Sequence, residues 1–316
     1  MITSADRASG GWRRLIEFPE RARSALVPAW LKRPIVPIWN SSIHGTRAFG
    51  EVAAALLSGR FARCNCCGHF GPVLLRRRSI RPRLIALWGL SQREAAALVR
   101  KETLLCVFCG AKLRARRIAR VVVDRFRVSD PSPKSLREWA DRYEVQGLRV
   151  AEINRIEGVH EAIAGLPLLS FSDFADPDHH LPSEIAPSED LTRLSYPDEH
   201  FDLVLTSETL EHVPDLAASL LEIRRVLKPG GLHIFTVPLR PGVPKTFARA
   251  TIGPDGRITE HAPPISHPGG DWGYPVFTEF GADLVSIFDQ AGFETTTHFG
   301  PTTEDDLAQV YVSRKR

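Results

Sequence analysis

Five cysteines stand at positions 64, 66, 67, 106 and 109, and nowhere else in the 316 residues. Cys64-x2-Cys67 and Cys106-x2-Cys109 are two CxxC pairs with 38 residues between them, each followed by glycine, at Gly68 and Gly110. A CxxC turn lets two sulfurs converge on one ion, and the following glycine permits the tight backbone. Two such pairs predict a four-thiolate zinc site, structural because no ligand position is left for water. Cys66 reads as a bystander, but its place beside Cys67 leaves the register open, with Cys66 able to replace Cys64 or Cys67. Five reduced core cysteines, or a redox pair, are the other readings. The redox reading does not explain two matching CxxCG turns.

Arginines surround these pairs. Arg76, Arg77, Arg78, Arg81 and Arg83 lie between them, and Arg114, Arg116, Arg117 and Arg120 follow. The net charge of +4 hides an asymmetry: residues 1–130 carry 25 Lys/Arg against 8 Asp/Glu, and residues 131–316 carry 16 against 29. A basic zinc segment can contact nucleic acid, here through 76–83 and 114–120. It can equally dock on the acidic second part. Little aromatic interleaving supports a base-stacking platform.

The elements that must position these groups fall into three stretches: a poorly structured lead over 1–60, a zinc-binding module with a basic helix over 61–130, and an α/β domain over 136–316. Residues 84–101 and 111–126 predict helices in the module. Pro131 and Pro133 mark the junction. Beyond it, strands at 148–153, 168–174, 201–208, 232–239 and 308–313 alternate with helices at 158–165, 215–227 and 277–293. Lys228-Pro229-Gly230-Gly231 stops the helix at 215–227, and 241–276 reads as a long loop. Short, nearly all-apolar strands separated by helices mean a mostly parallel sheet with helices on both faces.

The stretch 189–239 carries a resemblance. Glu189-Asp190-Leu191, Leu194-Ser195-Tyr196-Pro197-Asp198, Phe201-Asp202, Leu210-Glu211-His212-Val213 and Arg225-Val226-Leu227-Lys228-Pro229-Gly230-Gly231 follow one another as in class I S-adenosylmethionine-dependent methyltransferases of the broad small-molecule group. The segment 263–284, with His267, Gly269, Gly270, Asp271, Tyr274 and Phe280-Gly281, resembles a later loop of that family more loosely, because Pro268 intrudes. A zinc-binding front end on such a domain resembles bacterial methyltransferases found near glycan and glycosyltransferase functions. The resemblance implies a Rossmann-like fold and S-adenosylmethionine as cofactor. It also implies Asp190 and Leu191 beside the adenine, and Ser207 and Glu208 in the crevice at a strand's carboxyl end. His212 would face the acceptor as a candidate base, and His267 and Asp271 would sit in a loop able to close over it. His261, His267 and Asp271 are also weighed as a second metal site.

The first half departs from that family. Its glycine-rich loop is replaced by Glu152-Ile153-Asn154-Arg155-Ile156-Glu157-Gly158, in which only Gly158 remains a glycine. Glu152 can bond the cofactor's amino group or a neighbouring amide, Asn154 its carboxylate, and Asp173 the ribose hydroxyls. The expected activity is methyl transfer to a small-molecule or glycan acceptor. Oxygen is favoured by elimination, because the Asn/Asp-Pro-Pro-Tyr tetrapeptide used for amino-group substrates is absent. The alternatives are a non-catalytic binding or regulatory protein on the same scaffold, with residues 155–157 blocking the pocket, and an RNA or protein methyltransferase guided by the zinc module.

Composition excludes several classes. At 43% hydrophobic and 25% charged residues the chain can bury a core, so a disordered chain is excluded. No apolar run reaches the ~18 residues of a membrane span, and the first twenty residues lack the apolar block of a secretory signal. A soluble cytoplasmic protein is expected; the oligomeric state is not encoded in any pattern.

Overall fold

A computed structural model describes residues 56–57, 59–75, 82–129, 131–173, 187–253, 255–267, 274–298 and 307–316. The chain opens with β1 (Phe61–Arg63) and β2 (Phe70–Leu75), then α1 (Pro82–Trp88), α2 (Gln92–Thr103), β3 (Leu104–Cys106), α3 (Leu113–Arg125) and α4 (Leu136–Ala140). Next come β4 (Val150–Ile153), α5 (His160–Ile163), β5 (Leu169–Ser172), β6 (Phe201–Ser207), α6 (Leu216–Val226) and β7 (Leu227–Thr236). Short strands follow: β8 (Phe247–Ala248), β9 (Ala250–Ile252), β10 (Ile258–Glu260), β11 (Ser266–His267), β12 (Tyr274–Pro275) and β13 (Thr278–Glu279). The chain closes with α7 (Leu284–Gln290), β14 (Phe293–His298) and β15 (Val310–Lys315).

Six strands form the main sheet in the order β14-β15-β7-β6-β4-β5. Strands β5, β4, β6 and β7 run parallel; β15 is antiparallel to both β7 and β14. Apolar residues alternate across the strands, so each face collects its own core. Leu203, Leu205, Ile234 and Val312 pack under α3, α4 and α5, while Val204, Phe235, Val237 and Tyr311 pack under α6 and α7. This is a Rossmann-like α/β arrangement with helices on both faces, as expected, its sheet mixed because β15 runs antiparallel to its two neighbours.

The cysteine segment is continuous with this core. Cys64, Cys66, Cys106 and Cys109 belong to the same buried cluster as Ile118, Trp139, Val150 and Leu203. Helix α3, whose buried side carries Ala115, Ile118, Ala119 and Val122, lies directly on the sheet.

Local chemistry moved several boundaries. The helix expected over 84–101 is two helices: Gly89 turns left-handed (φ +63°), and Ser91 and Glu94 form a reciprocal capping box that starts α2 afresh. The helix expected over 215–227 does end at Val226, but the following strand begins at once: residues 228–231 lie inside β7, which pairs with β6 across an irregularity between Phe201 and Leu203. The helix expected from 277 begins only at Leu284, because Thr278–Glu279 pair with Phe247–Ala248. Parts of the expected long loop form β8 to β12.

Candidate active site and metal cluster

The two CxxC turns converge. The sulfurs of Cys64, Cys67, Cys106 and Cys109 all lie within 4.8 Å of one another. Cys64 Sγ is 3.6 Å from Cys109 Sγ, and Cys67 Sγ is 3.9 Å from Cys106 Sγ. A tetrahedron with Zn–S bonds of ~2.3 Å has sulfur–sulfur edges of about 3.8 Å, so the cluster has the dimensions the ion requires. Each turn closes alike, Gly68 N–H on Cys64 O and Gly110 N–H on Cys106 O, both at 2.9 Å. Contacts from Cys106 and then Cys109 pull the Cys64 thiol below its ordinary value, whereas Cys106 and Cys64 push Cys109 up. Cys66 points elsewhere, its thiol 3.6 Å from the Ala115 carbonyl, and burial raises its pKa. The cluster able to hold a metal is therefore Cys64, Cys67, Cys106 and Cys109, without Cys66.

The carboxyl ends of β4, β5 and β6 hold the other predicted groups. Glu152, fully buried, accepts from the Ile156 amide at 2.9 Å and from His160 Nδ1 at 2.6 Å. It therefore braces the loop that follows β4, the second of its two expected tasks. In that loop Ile156 turns into the core beneath α3 and α4, and Arg155 turns outward to Glu161. Gly158 (φ +81°) packs on the second cysteine turn: a Cβ there would lie 2.4 Å from Ala111 Cβ. Its glycine character therefore answers to Ala111. Asn154 takes the left-handed conformation (φ +64°) at the strand end, its amide 3.4 Å from Thr209 Oγ1.

Asp173 and Asp190 are exposed, and a backbone bridge from Asp173 to Ser188 brings their two segments side by side. Asp190 Oδ1 receives the amide and hydroxyl of Thr192, both at 2.8 Å, and Leu191 beside it is buried. Two exposed carboxylates next to a buried leucine suit a ribose and an adenine, so the residues present fit the adenosyl part of the cofactor.

Sequence reasoning missed the cations that meet these strand ends. Lys101 of α2, 1% exposed, donates to Glu208 Oε2 at 2.9 Å and to the Val237 carbonyl at 3.5 Å. Arg114 of α3 donates to Ser207 Oγ at 3.3 Å and to Glu102. Burial lowers the Arg114 pKa, but Glu102 and Glu208 outweigh it and the net direction is up. The available signal was Lys101 itself, three and four residues from the buried Leu98 and Ala97 on the apolar side of α2. Of the other arginines on this helix, Arg116 is buried and Arg117 donates to the Ala308 carbonyl, whereas Arg120 is exposed and pairs with Asp124. Residues 76–81 and the Arg83 side chain lie outside the described residues.

The turn after β6 carries Glu211 and His212. His212 Nδ1 donates to the Pro275 carbonyl at 2.7 Å, and its ring meets that of His267 edge-on at 5.0 Å. Asp271 lies outside the described residues. His261 bonds Thr251 Oγ1 at 3.0 Å. Beside this turn a cleft of about 410 Å³ is lined by Pro214, Asp215, Phe247, Thr251 and Thr278.

Residues 178–235 match a protein family described as a methyltransferase domain. A ubiquinone biosynthesis O-methyltransferase of Cereibacter sphaeroides is 45% identical over 102 residues, 32% of this chain and 38% of that protein. One of Bradyrhizobium is 46% identical over 57 residues, 18% and 22% of the two chains. The chain thus spans well under two thirds of the length of these curated relatives. Among solved structures, an S-adenosylmethionine dependent methyltransferase from Mesorhizobium loti is 20% identical, covering 56% of this chain and 95% of that one with a TM-score of 0.35. The family match falls on β6, α6 and β7, the centre of the sheet. The chain therefore carries a Rossmann-like, mixed α/β fold whose central residues, 178–235, match a methyltransferase domain, together with a cysteine cluster able to coordinate a metal.

Proposed function

We propose that this protein is an S-adenosylmethionine-dependent methyltransferase acting on a small-molecule or glycan acceptor, at oxygen. One observation carries the reading. The methyltransferase-domain match includes Asp190 and the strand β6, whose carboxyl end holds Ser207 and Glu208, and Asp173 stands just before the matched residues at the end of β5. Two non-glycine residues, Asn154 and Glu208, adopt positive φ at the ends of β4 and β6. Such strain costs about 1–3 kcal/mol per residue and persists where a site demands it. The names of the curated O-methyltransferases support oxygen.

The cofactor, when bound, supplies a sulfonium methyl group. Asp190 accepts from the adenine amino group, Leu191 covers the ring, and Asp173 takes the ribose hydroxyls. Asn154 orients the methionine end, where Arg114 also stands. Catalysis then consists mainly of alignment and exclusion of water. The acceptor lies on the side of His212 and His267, where its hydroxyl must give up a proton to solvent as the new bond forms. The cysteine segment, as a zinc-bearing module over 61–130, is a structural support of the domain at 136–316. Its inward-turned Arg114, Arg116 and Arg117 favour docking over nucleic-acid contact.

The competing reading, a non-catalytic module, draws on the altered loop at 154–158. Incubation with methyl-labelled S-adenosylmethionine and a panel of phenols and sugars separates the two. Label in a small acceptor supports the enzyme. Cofactor binding without transfer to any hydroxyl would remove the oxygen assignment, and no cofactor binding would leave only the module.

A further inference from the structure

The turn after β6 contains a carboxylate in a position that side chains alone do not explain. Glu211 is fully buried, and neither of its oxygens accepts a hydrogen bond among the described residues. Its ionisable neighbours there are two half-buried imidazoles: His212 Nε2 at 3.5 Å and His267 Nδ1 at 3.6 Å, both measured to Oε1. One ligand atom from each of the three residues fits within a 4.8 Å spread. These separations are too long for hydrogen bonds. They are close to the spacing of three donors around one ion with bonds of ~2.0–2.2 Å.

The tautomer of His212 points the same way. A carbonyl can only accept, so the contact with Pro275 O places the proton on Nδ1. Nε2 is left with its lone pair directed at the Glu211 carboxylate. Holding a ligand imidazole by its other nitrogen is how metal sites fix ring orientation. The backbone prepares the same junction: Phe277 N–H donates to the Glu211 carbonyl at 2.7 Å, and the hairpin β11–β12 pairs His267 with Tyr274.

We infer that Glu211, His212 and His267 form a second metal site, for a borderline divalent transition cation such as zinc. Two imidazoles and one carboxylate are a donor set for Zn²⁺, Mn²⁺ or Fe²⁺; Mg²⁺ and Ca²⁺ prefer oxygen. Three protein ligands leave coordination positions open, unlike the closed four-thiolate cluster. The ion compensates the buried carboxylate and ties the hairpin carrying His267 to the turn after β6. An open position can hold water or the oxygen of a ligand. The ligand set differs from the expected grouping of His261, His267 and Asp271, since His261 is engaged by Thr251. The site stands whether or not the chain transfers methyl groups.

Cobalt(II) titration of the metal-free full chain distinguishes the two sites, because thiolate ligands give strong near-ultraviolet charge-transfer bands and nitrogen–oxygen ligands do not. The expected result is uptake of about two equivalents, one with thiolate bands and one with weak visible bands only. Glu211→Gln and, on the surface hairpin, His267→Ala should each abolish the weak-band equivalent and spare the other. If Glu211→Gln fails to fold, His267→Ala alone carries the test. Saturation at a single thiolate-type equivalent, or a second equivalent retained in His267→Ala, would overturn the assignment.

Discussion

Ala111 fills the space that a side chain on residue 158 would need: a Cβ at Gly158 would lie 2.4 Å from Ala111 Cβ and 3.0 Å from its Cα. The contact joins the second cysteine turn to the loop that follows β4. Helix α3 leaves that turn and delivers Arg114 to Ser207. Cysteine module and crevice are thus neighbours through a few residues.

Gly158→Ala tests the contact. The substitution adds left-handed strain to overpacking against backbone, for a loss of about 2–4 kcal/mol. Urea denaturation should show a lower midpoint with an unchanged slope. An unaltered midpoint would mean that the loop does not rest on Ala111.

The register of the cysteine site is testable one thiol at a time. Cys109→Ser should abolish the thiolate-type cobalt spectrum. Cys66→Ser should leave it intact, since that sulfur faces the Ala115 carbonyl. Loss of the spectrum in Cys66→Ser would shift the register.

Lys101 and Glu208 form a buried ion pair with side chains 2% and 15% exposed. Removing one partner strands the other, so Lys101→Met should cost about 3–5 kcal/mol. Adding Glu208→Gln should recover part of the loss. A Lys101→Met protein as stable as the native one would show that the pair is not closed in solution.

His233 is stacked on Phe235 within the core, and burial holds its pKa down to about 3. The unfolded chain binds this proton below its ordinary value of 6.5. The unfolded state therefore holds more protons between the two values, and stability falls as pH drops from about 6.5 toward about 3. The contribution is about tenfold in the folding constant per pH unit. His233→Gln should flatten that part of the stability–pH curve; an identical slope would assign it to other groups.

What the sequence made legible follows the range of the interactions involved. The β6–α6–β7 unit was readable because its apolar runs are continuous and Asp215 caps the helix locally. The CxxCG turns were readable for the same reason. Strand β14 was missed: Phe293–His298 has a polar stretch of three threonines and sits at the sheet edge, where only pairing with β15 defines it. The start of α7 was misplaced because Thr278–Glu279 are claimed by a partner thirty residues away. Lys101 with Glu208, and Glu211 with His267, are juxtaposed only by the fold, so no spacing rule could join them.

The central claim is that an adenosyl group sits over the strand ends at Asp173 and Asp190. Isothermal titration of the zinc-loaded full chain with S-adenosylmethionine tests it most directly, beside folded Asp173→Ala and Asp190→Ala variants. The account predicts binding in the micromolar range, weakened about tenfold or more by either substitution, as loss of a hydrogen-bonding carboxylate should do. Absence of binding by the native protein at millimolar ligand, or an affinity unmoved by both substitutions, would contradict it.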